Sequence, residues 1–178
     1  VQSIGVNAAH HAMSGSRYAN PYDDNVVDKL DFVILGATEI DLDFNVNVTT
    51  DSHGKIMGGS GGHSDTAAGA KLAMVIAPLF RARQPIITER VNCISTPGRD
   101  IDVFVTQYGI AVNPKNEELR DRLIRAHMPI VSIEELKAKA ESLCGVPKAL
   151  EHGEKVVAKV IGRGGEVQDA EEEAYFFR

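Results

Sequence analysis

Five glycines fall within the sixteen residues IMGGSGGHSDTAAGAK, Ile56 to Lys71, just ahead of an alanine-rich run with helical character. Successive glycines permit positive φ angles and leave the backbone uncovered, so several N–H groups can point at one negative oxygen. If Ser64 or Asp65 caps the helix that follows, its N-terminus adds partial positive charge at the same place. Donors held ready in this way stabilise the oxygen of an acyl carbonyl as it turns negative under attack, and loss of one costs roughly 3 kcal/mol in barrier. Gly58, Gly59, Ser60, Gly61 and Gly62 therefore read as an oxyanion receptor. The competing reading is a tight strand-to-helix turn that needs glycine for shape alone. The spacing is not that of a Walker A loop, and it fits a dinucleotide fingerprint only loosely.

His63 stands at the mouth of this loop and titrates near neutrality, which suits proton transfer; a hydrogen-bonded loop residue of no catalytic role fits the position equally well. Ser64 would line the same wall. His63, Ser64 and Asp65 are adjacent, so their side chains cannot form the nucleophile, base and orienter of a hydrolase, and no G-x-S-x-G elbow is present. Arg81 and Arg83 flank Ala82 and, if extended, put two guanidinium groups on one side, suited to carboxylates. A solvated sheet edge is their alternative. Glu39 and Asn45, near the ends of neighbouring predicted strands, are further candidates for substrate contact. His10 and His11 lack the i, i+4 spacing of a helical metal pair, and His53, His127 and His152 have no partner in sequence, so no metal site is expected. Cys93 and Cys144 lie far apart with no CxxC context and read as reduced core filler in a cytoplasm.

The elements that must position these residues alternate between strand and helix patterns. DFVILGA, Asp31 to Ala37, is a short apolar run fit for a buried strand, and LDFNVNVTTD from Leu42 alternates like a half-buried one. After the glycine loop and a short helix, LAMVIAPL from Leu72 is another buried strand. QPIITERVN adds β-prone sequence, and IDVFVTQYGIAVN bends at Gly109 like a hairpin. NEELRDRLIRAHM and SIEELKAKAESLCG are helices by apolar spacing, the second with Ser132 and Glu135 as a capping box and Gly145 as its stop. KVVAKVIGRGGEVQDAEEEAYFF reads as a hairpin turning at Arg163-Gly164-Gly165. Residues 1–25 carry little regular pattern, and Gly145 to Glu154 is the one linker candidate. The sum is an α/β domain, a mixed and mostly parallel sheet flanked by helices, over residues 1–178 as one unit.

With 43% hydrophobic residues and no apolar run near the length of a span, the chain of 178 residues is expected to form one soluble domain. A net charge of -6 without a basic cluster argues against nucleic acid, and no membrane partner is expected. The first residue is Val1 and no signal peptide is apparent, so a piece of a longer protein is expected.

The blocks LGATEIDLDFNVNV, GGSGGHSDTAAGAK, TPGRDIDVFVTQYGIAVNP and IEELK together resemble the C-terminal half of the alpha subunit of bacterial citrate lyase, within the coenzyme A transferase superfamily. Gly59, Gly61, Gly62 and Asp65 match the superfamily's Gly-x-Gly-Gly-x-x-Asp loop. The resemblance implies a coenzyme A transferase-like fold and a reaction that moves the thiol of an acyl carrier protein from acetate to citrate, yielding citryl carrier protein and acetate. It implies no tightly bound cofactor here; the group acted on would be the phosphoribosyl-dephospho-CoA prosthetic group of the carrier. The partners implied are the N-terminal half of the same subunit, the beta and gamma (acyl carrier) subunits, citrate and acetate. Gly61, Gly62 and His63 would be catalytic; Gly58, Gly59, Ser60, Ser64, Glu39, Asn45, Arg81 and Arg83 would contact substrate. Superfamily members often use a glutamate followed by Asn-Gly as nucleophile, and Glu39, Glu89 and Glu154 lack that context. Either that glutamate belongs to the first half of the subunit or, as the resemblance to the citrate branch implies, citrate's own carboxylate attacks the acetyl thioester through a mixed anhydride without an enzyme ester. The family's subunit is about double this length with its active site between two halves, so a lone half would be inactive. Two rivals stand beside this reading: a transferase or hydrolase of ordinary CoA thioesters, and a metabolite-sensing module without catalysis.

Overall fold

The computed structural model describes residues 5–20, 24–148 and 150–175. In chain order the elements are α1 (Gly15–Tyr18), a 3-10 turn at Val27–Lys29, β1 (Val33–Leu35), β2 (Glu39–Asp41), β3 (Val46–Asn47) and α2 (His63–Gly69). There follow β4 (Ala73–Ile76), β5 (Phe80–Arg81), β6 (Gln84–Pro85), β7 (Ile87–Thr88), a 3-10 turn at Gly98–Asp100, β8 (Val103–Thr106) and β9 (Gly109–Val112). The chain closes with α3 (Glu117–Arg125), α4 (Ile133–Cys144), β10 (Glu151–Ile161) and β11 (Val167–Tyr175).

The apolar runs DFVILGA and LAMVIAPL do form neighbouring strands, but not the wholly buried ones expected: β1 is an edge strand with Ile34 exposed, and Ile76 of β4 is exposed as well. The main sheet has the order β1-β4-β8-β9, with β1, β4 and β8 parallel and β9 turning back antiparallel from β8. A second sheet, β3-β2-β7, is mixed as well, and β5 with β6 forms a small hairpin of its own. Alternate residues of the main sheet point one way, and on that side Ala73, Val75, Phe104 and Ala111 are buried. They join Ile40, Phe44, Leu79, Ile87, Leu136 and Ala140 in one core, with α2 and α4 supplying the helical cover. Helix α4 is set by its ends: the Ser132 hydroxyl accepts from the Glu135 amide, the Glu135 carboxylate accepts from the Ser132 amide, and Gly145 leaves the helix at φ +84°.

One strand expectation is corrected. Leu42, Phe44, Val46 and Val48 alternate as a strand would, yet the structure folds Leu42–Asn45 into a tight turn and keeps only Val46–Asn47 extended. The cause is the buried Asp41 carboxylate. Its Oδ1 accepts from the amides of Asp43 (3.1 Å) and Asn45 (2.9 Å), and its Oδ2 from Asn45 Nδ2 (3.1 Å). A carboxylate that collects nearby amides in this way offers the backbone an alternative to the sheet. Phe44 sits in the turn at φ +64°, an unusual place for a bulky residue, with its side chain buried in the core. The segment after Pro97 closes over the same turn. The Gly98 amide donates to Asn45 Oδ1 (2.9 Å), and a Cβ built on Gly98 would lie 1.9 Å from the Asp43 carbonyl oxygen. Behind it, buried Asn113 donates from Nδ2 to the carbonyls of Gly98 (2.9 Å) and Ile101 (2.8 Å).

Smaller differences follow from local chemistry. The lead-in holds a four-residue helix capped by Ser14, and the linker candidate gives way to β10 from Glu151 onward. The hairpin of β10 and β11 does turn where Arg163-Gly164-Gly165 predicts, with Gly165 at φ +84°. It is fastened to the body through the 92–96 segment: Asp169 Oδ2 accepts from the Ile94 amide (2.6 Å), while Gln168 Nε2 donates to the carbonyls of Ile94 (2.7 Å) and Ser95 (2.8 Å). Among the described residues no helix is long and apolar enough to cross a membrane.

Candidate active site

The glycine loop runs from the end of the second sheet into the start of α2. Its near end is tied down, since the Met57 amide donates to the Thr49 carbonyl (2.8 Å) and Thr49 Oγ1 meets Ser95 Oγ at 2.7 Å. Between the ties, the amides of residues 58–62 donate no hydrogen bond among the described residues. Gly61 lies at φ +59°, and a Cβ at Gly58, Gly59, Gly61 or Gly62 would meet nothing within 4 Å. Packing therefore does not demand glycine at these four positions. Only Gly61 needs it for conformation, and the openness leaves the amides bare. The N-cap of α2 is Gly62, with no side-chain capping bond, so neither Ser64 nor Asp65 caps as the sequence reading expected.

Asp65, third residue of α2, points instead at the C-terminal hairpin and is bound by Arg163 in a fork: Arg163 Nε lies 3.0 Å from Oδ1, and Nη2 holds Oδ2. A polar cleft of about 270 Å³ opens between loop and hairpin, walled by Ser60, Gly61, Ser64, Ser95, Arg163 and Gln168.

His63, the first residue of α2, has both ring nitrogens engaged. Nε2 is 2.9 Å from the Gly36 carbonyl oxygen and Nδ1 is 2.7 Å from Thr96 Oγ1. A carbonyl can only accept, so Nε2 carries the proton and donates, and Nδ1 accepts from the Thr96 hydroxyl in the neutral ring. Burial pushes the His63 pKa below its ordinary value, with the Gly36 bond pulling weakly the other way. The ring thus joins the end of β1 to the 92–96 segment.

Glu39 is buried on β2. Its Oε2 accepts from Asn47 Nδ2 (2.9 Å) and Asn92 Nδ2 (3.2 Å), and burial raises its pKa above the usual carboxylate range against the pull of those bonds. It faces a second, half-open cavity of about 1000 Å³, lined also by Thr88, Asn92, Lys137, Glu141 and His152. Asn45 is spent in the Asp41 turn. Arg81 ends β5 opposite Gln84, and Ala82 and Arg83 form the tip of the hairpin at φ +48° and +66°, so the extended geometry that would place both guanidinium groups on one side is absent. Both are exposed, and neither lines the two cavities. Among the described residues no three His, Cys, Asp or Glu side chains gather as a metal ion would require, and neither Cys93 nor Cys144 is in a disulfide.

The structure therefore brings Gly61, Ser60 and Ser64 together at one cleft, while the His63 ring is turned to Gly36 and Thr96 and does not line that cleft, and Glu39 faces a different cavity. Sequence reasoning missed Thr96, Ser95, Arg163 and Gln168. Thr96 and Arg163 bond His63 and Asp65 of α2 from 33 and 98 positions away, Ser95 and Gln168 line the cleft beside the loop, and none carries a local pattern that marks it for the site.

An α/β unit whose helix-entry loop keeps its amides bare beside a polar cleft is one suited to receive a negative oxygen. The chain belongs to the citrate lyase alpha subunit (CitF) family, whose model matches residues 1–173. It is 47% identical over 169 residues to the citrate lyase alpha chain of Klebsiella pneumoniae and 46% identical to that of Escherichia coli K12, in each case across 94% of this chain and 33% of the relative. A crystal structure of the alpha subunit of citrate lyase from Streptococcus mutans, in complex with citrate, superposes with a TM-score of 0.91 at 41% identity over 98% of this chain and 34% of that one. The chain spans about a third of the length of these relatives, a smaller share than the half implied by the resemblance.

Proposed function

We propose that the chain forms the acyl-receiving wall of a citrate lyase alpha subunit, which exchanges the thiol of an acyl carrier protein from acetate to citrate. The observation that carries this reading is the run of amides at residues 58–62 that donate no hydrogen bond among the described residues, turned at Gly61, with Ser60 and Gly61 lining the cleft shared with the hairpin. The citrate bound in the Streptococcus mutans relative supports it on the substrate side. A carboxylate oxygen of citrate attacks the carbonyl of the acetyl thioester; the carbonyl oxygen takes the negative charge and is held by the bare amides. Collapse breaks the C–S bond, leaving the carrier thiolate and a citric–acetic anhydride. The thiolate then attacks the citryl carbonyl of that anhydride, acetate leaves, and the citryl thioester remains. One thioester is consumed and one is made, so no nucleotide is required.

In this scheme Gly61 and Gly62 act through their amides, with Gly58, Gly59, Ser60 and Ser64 along the path of the thioester arm. His63 serves as a neutral strut rather than a base, because burial disfavours the charged ring and both ring nitrogens are already engaged, with Gly36 and Thr96. Groups that bind citrate's remaining carboxylates, and the surface that docks the carrier, are assigned in part to the rest of the subunit, so this third alone is not competent for transfer. The test uses the full-length subunit with acetyl carrier protein and labelled citrate. Gly61→Val, which strains a positive φ and covers the loop, is expected to abolish label transfer while citrate binding and the circular dichroism spectrum are kept. Equal transfer by the variant would remove the amides from the mechanism, and turnover with free acetyl-CoA in preference to the carrier would move the assignment to an ordinary CoA transferase.

A further inference from the structure

The pairing of Asp65 with Arg163 has a consequence for the receptor. Asp65 is in the first turn of α2, and its side chain is only 10% exposed. The residue lines the same cleft as Gly61, so the carboxylate stands close to where an oxygen turning negative at the loop amides would gather charge. Left alone, it would swing toward the loop amides or repel the oxygen forming beside them. The hairpin prevents this. Arg163, in the turn after β10, takes both carboxylate oxygens in the two-point geometry that a guanidinium fork offers, and both residues belong to the wall of the cleft that Gly61 also lines. Gln168 and Asp169 pin the same hairpin to Ile94 and Ser95, which fixes where the guanidinium stands.

We propose that Arg163 is a positioning residue for the transfer reaction: it neutralises Asp65 and holds the carboxylate away from the residue 58–62 amides, so that the receptor faces the acyl oxygen without a competing negative charge. The hairpin of β10 and β11 is thereby part of the active site without touching the acyl group. This inference rests on the acyl-transfer reading above.

The experiment measures kcat per folded molecule and KM for citrate in the full-length subunit, at a temperature where circular dichroism shows each variant folded. Arg163→Gln leaves the carboxylate unpaired beside the receptor and is expected to lower kcat by at least about tenfold with KM changed little. Arg163→Lys, which keeps the charge but loses the fork, falls between. Asp65→Asn removes the charge, and the double variant Arg163→Gln/Asp65→Asn is expected to run at the rate of Asp65→Asn alone. If the double variant is as slow as Arg163→Gln, or if Arg163→Gln lowers only the unfolding midpoint and keeps its kcat, the inference is overturned. Should Arg163→Gln not fold, the Arg163→Lys variant decides by the same split between kcat and KM. A wild-type subunit that transfers nothing overturns the acyl-transfer reading and this inference together; an active wild type with a flat variant series overturns this inference alone.

Discussion

Glycine serves two unrelated purposes in this chain, and the difference is measurable. At Gly98 the backbone passes so close to the Asp43 carbonyl that no side chain fits, and the obstacle is main chain held by the Asp41 and Asn45 bonds, which cannot step aside. Gly98→Ala is expected to destabilise the protein by about 3 kcal/mol, read from urea unfolding midpoints. Gly59→Ala, with nothing within 4 Å, should change stability by no more than about 0.5 kcal/mol. The sequence reading singled out the dense loop and passed over Gly98, because local density is visible in a string and a close approach between distant segments is not. The same limit hid the His63 partners. A histidine in a Gly/Ser loop is legible as a candidate, but Gly36 and Thr96, which decide its tautomer, lie 27 and 33 positions away.

Elements whose ends are written locally were legible. Ser132, Glu135 and Gly145 fix α4 within one stretch of sequence, and Ser132→Ala is expected to cost about 1 kcal/mol in denaturant unfolding because the Glu135 amide loses its hydroxyl acceptor. The hairpin of β10 and β11 was legible from its glycine turn. What was not legible is the interruption of the LDFNVNVTTD strand. Its apolar alternation is genuine and satisfies the rule for a strand, but Asp41 gathers three local donors and wins over the period. Several strands here are two residues long, too short to carry a periodic signal at all. In such a fold the side-chain bonds of Asp41, Asn45, Asn47 and Asn113 replace much of what longer ladders would supply.

At the scale of the molecule, buried ionisable groups shape the response to pH. Burial raises the pKa of Glu39 and of Asp41, so each binds its proton more tightly folded than unfolded. For Glu39 that contribution to stability is complete below its model-peptide value of 4.5 and is lost as pH rises through the higher folded value. His63 behaves in the opposite sense: with a folded pKa below 6.5, its contribution is complete above 6.5 and is lost as pH falls through the folded value. Urea midpoints measured across pH 4 to 8 should therefore show a smaller decline as pH rises above about 4.5 in Glu39→Gln, and a smaller decline as pH falls below about 6.5 in His63→Gln, than in the wild type. The union of Asp65 with Arg163 also bears on biosynthesis, since the two residues are 98 positions apart. At a ribosomal pace of about 5–20 residues per second, the aspartate emerges roughly 5–20 seconds before the arginine that quiets it. Until then the nascent loop carries a stray negative charge, and its electrostatic setting waits on a residue made 98 positions later.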